Sequence, residues 1–195
     1  GGDAPAATGG RGGGAPGGGG GGRGGGTSPS GPRGLDVLLL DLRTGGHQLL
    51  GSVGDMAFNR TGELLAFTVD STVKDANGLF IFDTRNARVT PLDNDAKQYF
   101  RLAWNDAGTA VAVLKGKDVE KMREKDNVLL AFRDVAAALK EGAPAPVPVT
   151  LDPAKTEGFP KGWVVSDRAP LAWSEDNTRV FFGMKEQVPE PDTTR

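Results

Sequence analysis

The sequence predicts an all-β protein: a partial β-propeller of about three blades, each a four-stranded antiparallel sheet, preceded by a disordered Gly-rich segment. Three observations lead there. First, "MAFNRTGELLAF" from Met56, "LAWNDAGTAVAV" from Leu102 and "LAWSEDNTRVFF" from Leu171 align without a gap. Second, another unit alternates with these: "DVLLLDLRTGG" from Asp36, "GLFIFDTRNAR" from Gly78 and, more weakly, "NVLLAFRDVAA" from Asn127. Third, Phe58 and Trp104 are 46 residues apart, close to the roughly 40–45 of a propeller blade.

The elements follow in chain order. Residues 1–34 hold 18 of the 30 glycines and almost no large apolar side chain. Fixing one backbone residue costs roughly 1–2 kcal/mol, and nothing here offers matching burial, so the segment reads as a disordered spacer. Its Arg11, Arg23 and Arg33 lack aromatic neighbours to stack on bases, which makes it a poor nucleic-acid tract. Residues 35–54 supply the last two strands of one blade. Residues 55–98 and 99–152 are expected to be full blades, and 153–195 an inter-blade loop and the start of another.

Within each repeat, Phe58, Trp104 and Trp173 follow an alanine and precede a polar turn. Asn59, Asn105 and Ser174 are turn residues able to bond the backbone two residues on, and Gly62, Gly108 and Asn177 tolerate positive φ. Alternation then puts Leu65, Val111 and Val180 with Phe67, Val113 and Phe182 on one face. Leu64, Ala110 and Arg179 with Ala66, Ala112 and Phe181 fall on the other. Asp41 and Asp83 end equivalent strands, where a carboxylate accepts bonds from turn N–H groups. Trp104 and Trp173 are expected in blade-to-blade packing, while Trp163 in "GFPKGW" has no assignment. The 69-residue step from Trp104 to Trp173 accommodates two rim loops, "KGKDVEKMREKDN" and "KEGAPAPVPV". The first is expected to be a solvated charge run. Because propellers close with about four to eight blades, the chain reads as part of a larger ring, and its open blade edges predict poor solubility.

The formal net charge of −2, with both signs interspersed, gives no field for nucleic acid or anionic lipid. No apolar run reaches the roughly 20 residues of a membrane helix, so no membrane insertion is expected. No signal peptide is visible and there is no cysteine, which leaves the compartment open between cytoplasm, periplasm and secretion.

"AFNRTGELLAFTVD", "LFIFDTRNARVTPL", "LAWNDAGTAVAVLKGKD" and "RAPLAWSEDNTRVFFGMKE" resemble the N-terminal propeller of large bacterial serine peptidases of the prolyl oligopeptidase family. The blades of that propeller are similar to TolB-type blades. The resemblance covers roughly Leu35 to Glu186. It implies a propeller that filters peptide substrates for a C-terminal α/β-hydrolase domain of the same parent protein. The alternative is a TolB-type protein-binding propeller without enzymatic activity.

The chemistry of peptide hydrolysis is not expected in this chain. None of Ser28, Ser30, Ser52, Ser71, Ser166 and Ser174 sits in a G-x-S-x-G elbow. The single histidine, His47, begins a strand after a turn and reads as a rim residue. One histidine and no cysteine leave nothing for zinc, and Asp93, Asn94 and Asp95 lack the spacing of a calcium loop. No catalytic, cofactor-binding or metal-ligating residue is therefore assigned, and the catalytic step is expected outside the chain.

Overall fold

The computed structural model describes residues 34–191. The spacer expected over 1–34, with its three arginines and Ser28 and Ser30, lies outside the described residues apart from Gly34. Strands β1 (Leu35–Leu40), β2 (His47–Phe58), β3 (Leu64–Val69), β4 (Gly78–Asp83) and β5 (Arg88–Asn94) form one antiparallel sheet in chain order. A second sheet holds β6 (Gln98–Trp104), β7 (Val111–Lys117), β8 (Asp126–Phe132) and β9 (Val149–Leu151), again in chain order. In the last unit β10 (Trp163–Val165) pairs with β13 (Met184–Glu186), and β11 (Ala172–Trp173) with β12 (Val180–Phe181).

The sequence places a boundary between a half-blade ending at 54 and a blade beginning at 55. β2 runs through that boundary and serves both. Its first part pairs with β1, as in Leu40 opposite His47, and its last part pairs with β3, as in Phe58 opposite Leu65. Ser52, at φ 53°, lies between the two parts and bends the strand without ending it. A serine in the left-handed region gives little sequence warning.

Three apolar clusters lie between the successive units, each drawing on alternate residues of a strand. Leu65, Phe67 and Phe82 pack against Leu50, Val53, Val37 and Leu39. On the opposite face of the same strands, Leu64, Ala66, Leu79 and Ile81 meet Val111, Val113, Leu130 and Phe132. The reverse side of the second sheet, with Ala112, Leu114, Leu129 and Ala131, meets Val165, Leu171, Val180 and Phe182. Period two therefore sends Leu65, Val111 and Val180 towards the preceding unit and Ala66 and Ala112 towards the following one, as the repeat predicts. The first strands of successive units are neighbours, β2 beside β6 and β6 beside β11. Sheets stacked face to face with their first strands side by side constitute a partial β-propeller.

The turns repeat atom for atom. Gly62, Gly108 and Asn177 have φ of 73°, 69° and 57°. Their amides donate to the carbonyls of Asn59, Asn105 and Ser174. The side chains of those three residues reach further than the expected two positions. Asn59 Oδ1 accepts from the Leu64 amide, Asn105 Oδ1 from Ala110, and Ser174 Oγ from Arg179. Each closes its hairpin five residues on. Asp41 and Asp83 behave as their positions suggest, accepting from the amides of Arg43 and Arg85. Asp83 is also gripped by the Arg85 guanidinium, whose hydrogen bonds hold the carboxyl below its ordinary pKa.

Two other segments differ from expectation. After β8 the chain enters a helical turn, α1 (Val135–Ala138), because Asp134 accepts from the Ala137 amide as its N-cap. The charged insertion after β7 is a strap rather than a solvated loop. Met122 bridges Pro189, the Arg123 amide donates to Val188, and the Glu190 amide donates to Lys121.

Candidate functional site

The inner wall is formed by the first strands, and each of the first two carries a bulge at the same place. Pairing shifts register between Val53 and Met56 in β2 and between Phe100 and Ala103 in β6. Asp55 and Arg101 occupy equivalent positions in these bulges, three residues before Phe58 and Trp104. Arg101 has φ 60°, a left-handed conformation that costs a non-glycine residue energy and is held by its surroundings. Asp55 Oδ2 accepts from the Leu102 amide at 2.9 Å, and Arg101 Nε donates to the Asp167 carbonyl of the last unit. Three successive units thereby meet at one point.

A cleft of about 350 Å³ opens beside this junction, lined by Asp55, Asp70, Gln98, Phe100, Arg101 and Asp167. It shares Asp70 and Gln98 with a smaller cleft of about 140 Å³ that continues towards Ser71, Asn77 and Lys117. Carboxylates, a guanidinium and backbone amides around a phenylalanine can hydrogen-bond an extended polypeptide and accept an apolar side chain. They do not form a nucleophile with its base. Ser71 Oγ accepts from the Val73 amide, Ser166 Oγ from Arg168, and Ser174 Oγ belongs to its hairpin. His47 is exposed at the start of β2. Among the described residues no group of three or more His, Asp or Glu is arranged to hold a metal ion.

Polar clamps hold the wall together. Trp104 Nε1 donates to the Ala57 carbonyl at 2.9 Å, and Trp173 Nε1 donates to the Ala103 carbonyl at 3.0 Å. Each indole thus binds the alanine beside the matching aromatic of the preceding unit. Asn77 and Asn127 form a second repeated pair, each five residues before a buried phenylalanine, Phe82 or Phe132. Asn77 Nδ2 donates to the Lys97 carbonyl at 3.2 Å and its Oδ1 accepts from the Ser71 amide at 2.8 Å. Asn127 Nδ2 donates to the Val165 carbonyl at 2.7 Å, while its Oδ1 is buried without a partner.

Two charge clusters complete the junctions. Lys115 Nζ lies 2.8 Å from Asp93 and 2.9 Å from Asp95, over the ring of Tyr99. Tyr99 donates to the same Asp93 oxygen at 2.6 Å. Burial, reinforced by the Asp93 charge, pushes the tyrosine hydroxyl far above its ordinary pKa. Burial opposes the Lys115 charge, but the two aspartates outweigh it and raise its pKa; Lys115 in turn lowers that of Asp95. The residues considered above for a calcium loop are therefore occupied with an ammonium. In the second cluster Glu124, from the strap, accepts from Lys185 at 2.8 Å and Arg168 at 3.0 Å, and the Lys185 bond leads in lowering its pKa.

Sequence reading missed Asp55, Arg101, Glu124 and the two asparagines. Only the asparagines carry a signal, visible once the repeats are aligned on Phe82 and Phe132. Trp163, unassigned by sequence, opens β10 and is exposed.

No family model matches the chain. No curated protein matches it either. Solved structures do. The β-propeller domain of the trilobed protease from Pyrococcus furiosus, described as having an open velcro topology, superposes with a TM-score of 0.47 at 11% identity, covering 72% of this chain and 38% of that one. An acylaminoacyl peptidase from Pyrococcus horikoshii gives 0.42 at 10%, covering 60% and 21%. The tricorn protease gives 0.41 at 9%, covering 60% and 15%. The chain spans well under half the length of each.

Proposed function

We propose that this chain is part of a β-propeller that admits peptides to a serine-peptidase domain of the prolyl oligopeptidase type, with hydrolysis carried out by residues outside the chain. The observation that carries the reading is the convergence of Asp55, Arg101 and Asp167, from three successive units, on one cleft at the inner wall. A wall of this kind selects by width and by hydrogen bonding to an extended backbone, and a folded protein does not fit between first strands. The sequence resemblance over Leu35–Glu186 supplies the peptidase context.

The test is peptide binding without turnover. Unfolded peptides of about ten residues, titrated into the labelled protein, should shift amide resonances at Gly54, Gln98, Phe100 and Arg101, and Arg101→Ala should weaken the effect. Chromogenic peptides should not be cleaved. Turnover above buffer would refute the assignment of chemistry elsewhere. Shifts confined to the outer strands, or binding of folded proteins in preference to peptides, would favour the protein-binding propeller instead.

A further inference from the structure

The two connected clefts beside the inner wall carry opposite charge. The smaller, of about 140 Å³, is bordered by Lys74, Lys97 and Lys117, and the larger, of about 350 Å³, by Asp55 and Asp167. Asp70 and Gln98 border both. The smaller cleft lies wholly between the two complete blades. Lys74 is in the connection from β3 to β4, Lys97 directly precedes β6, and Lys117 ends β7.

The charges at both ends are available to a ligand. Lys74 and Lys117 are exposed and form no ion pair among the described residues. Lys97 is half-buried and acts on Asp95, but that carboxylate is already held by Lys115 at 2.9 Å. Of the two acids on this border, Asp118 is paired with Lys125, which removes Lys125 as a free cation from the larger cleft as well. There Arg101 is committed to the Asp167 carbonyl, and Asp55 uses only Oδ2, on the Leu102 amide. The banks of the smaller cleft are also fixed relative to each other. Asn77, 2% exposed, donates to the Lys97 carbonyl and accepts from the Ser71 amide, tying the connection that carries Lys74 to the one that carries Lys97. Banks set in advance lower the ordering cost of binding.

We infer that the smaller cleft takes the C-terminal carboxylate of an extended peptide, whose preceding residues lie along the larger cleft towards Asp55 and Asp167. This placement rests on the peptide-admitting reading and gives that reading a direction. A terminal carboxylate is a narrow end with a single negative charge, which suits a small space between three ammonium groups. A peptide lying the other way would set its carboxylate among Asp55, Asp70 and Asp167 and its ammonium among the lysines, with like charges meeting at both ends. Asp70, at the boundary, repels a doubly charged anion such as phosphate more than a singly charged one. The site therefore selects free peptides over internal loops of proteins, which have no terminal carboxylate to offer.

The test compares one peptide of about ten residues, free of Asp and Glu, as the C-terminal acid and as the C-terminal amide, each titrated into the labelled whole chain. An exposed ion pair is worth up to about fivefold in affinity, so three acting on one carboxylate should make the acid bind about tenfold more tightly. Only the acid should shift the amide resonances of Thr72, Lys97 and Lys117, whereas both forms should shift Gly54 and Phe100. Lys74→Gln and Lys117→Gln, each at an exposed position, should weaken binding of the acid about threefold and leave that of the amide unchanged. Equal affinity of acid and amide would overturn the inference and leave the peptide-admitting reading standing, while binding of neither would overturn both. An amidated peptide ending in glutamate that matches the acid, or inorganic phosphate that displaces the acid at equal concentration, would reveal a general anion site and overturn recognition of the terminus.

Discussion

Asn77 and Asn127 occupy the same repeat position, yet truncating them should have unequal costs. Asn77→Ala removes two bonds and leaves the Ser71 amide and the Lys97 carbonyl without their partner. With about 1–3 kcal/mol for each buried polar group left unpaired, moderated by the partial exposure of both, the loss is about 3 kcal/mol. Asn127→Ala also strands a carbonyl, that of Val165, but it removes an acceptor that is itself unpaired. The two terms are of similar size and opposite sign, so about 1 kcal/mol remains, mostly from the small cavity. The difference of about 2 kcal/mol corresponds to a gap of roughly 4–8 °C in Tm for a chain of this size. Urea denaturation of both variants against wild type measures it. Equal losses, within about 0.5 kcal/mol, would refute the reasoning, because both asparagines would then be equally well satisfied.

Three further outcomes follow from the same junctions. Trp104→Phe keeps an aromatic ring but removes the bond to the Ala57 carbonyl across the seam, and should cost about 0.5–1.5 kcal/mol in urea denaturation. Gly116→Ala would set a Cβ 1.9 Å from Asn127 Oδ1 and should cost about 2–3 kcal/mol, with part regained in the double variant with Asn127→Ala. On acidification, the carboxyls of Asp83, Asp95 and Glu124 have folded pKa values below their ordinary ones, so their contribution is full above the ordinary carboxylate range. It is lost as pH falls from about 5 through that range towards the folded values, and Glu124→Gln should be less stable at pH 7 with a shallower loss below pH 5.

What the sequence made legible was local. The aromatic, the turn and the strand after it lie within a dozen residues, so their chemistry repeats visibly at Phe58, Trp104 and Trp173, and Asp41 and Asp83 reach only two or three positions along the chain. What stayed hidden involves partners far apart. Glu124 meets Arg168 and Lys185 across 44 and 61 positions, and nothing in "DVEKMREKDN" distinguishes it from its charged neighbours. Asp55 and Arg101 look like surface residues until a bulge turns them to the inner wall. The continuity of β2 depended on a serine adopting a conformation usually left to glycine or asparagine. The Trp–Ala bonds lie between these cases: the residue pair was visible, but not that the indole reaches the alanine of the preceding unit rather than its own.

The arrangement of these clamps reflects a weakness of stacked sheets. Apolar contact between two flat faces is non-directional and tolerates sliding, whereas a propeller needs each sheet fixed relative to the next. The seam between the two complete sheets buries the larger apolar cluster, and it is also fixed by Trp104, Asn77, Asp55 and the Lys115 cluster. The following seam has fewer buried apolar residues and draws its register from Trp173, Asn127 and the strap carrying Glu124. A charge this buried is costly unless paired, and its two cations come from the segments before β11 and within β13. Sliding the last unit by one residue would separate Glu124 from both cations, so the clamp penalises the shifted register more than it stabilises the correct one. Replacing Glu124, Arg168 and Lys185 together by apolar residues should for that reason preserve stability better than removing Glu124's partners alone, while broadening the amide resonances of Val165 and Met184. A triple variant with sharp, wild-type-like resonances would show that the apolar cluster sets the register without help.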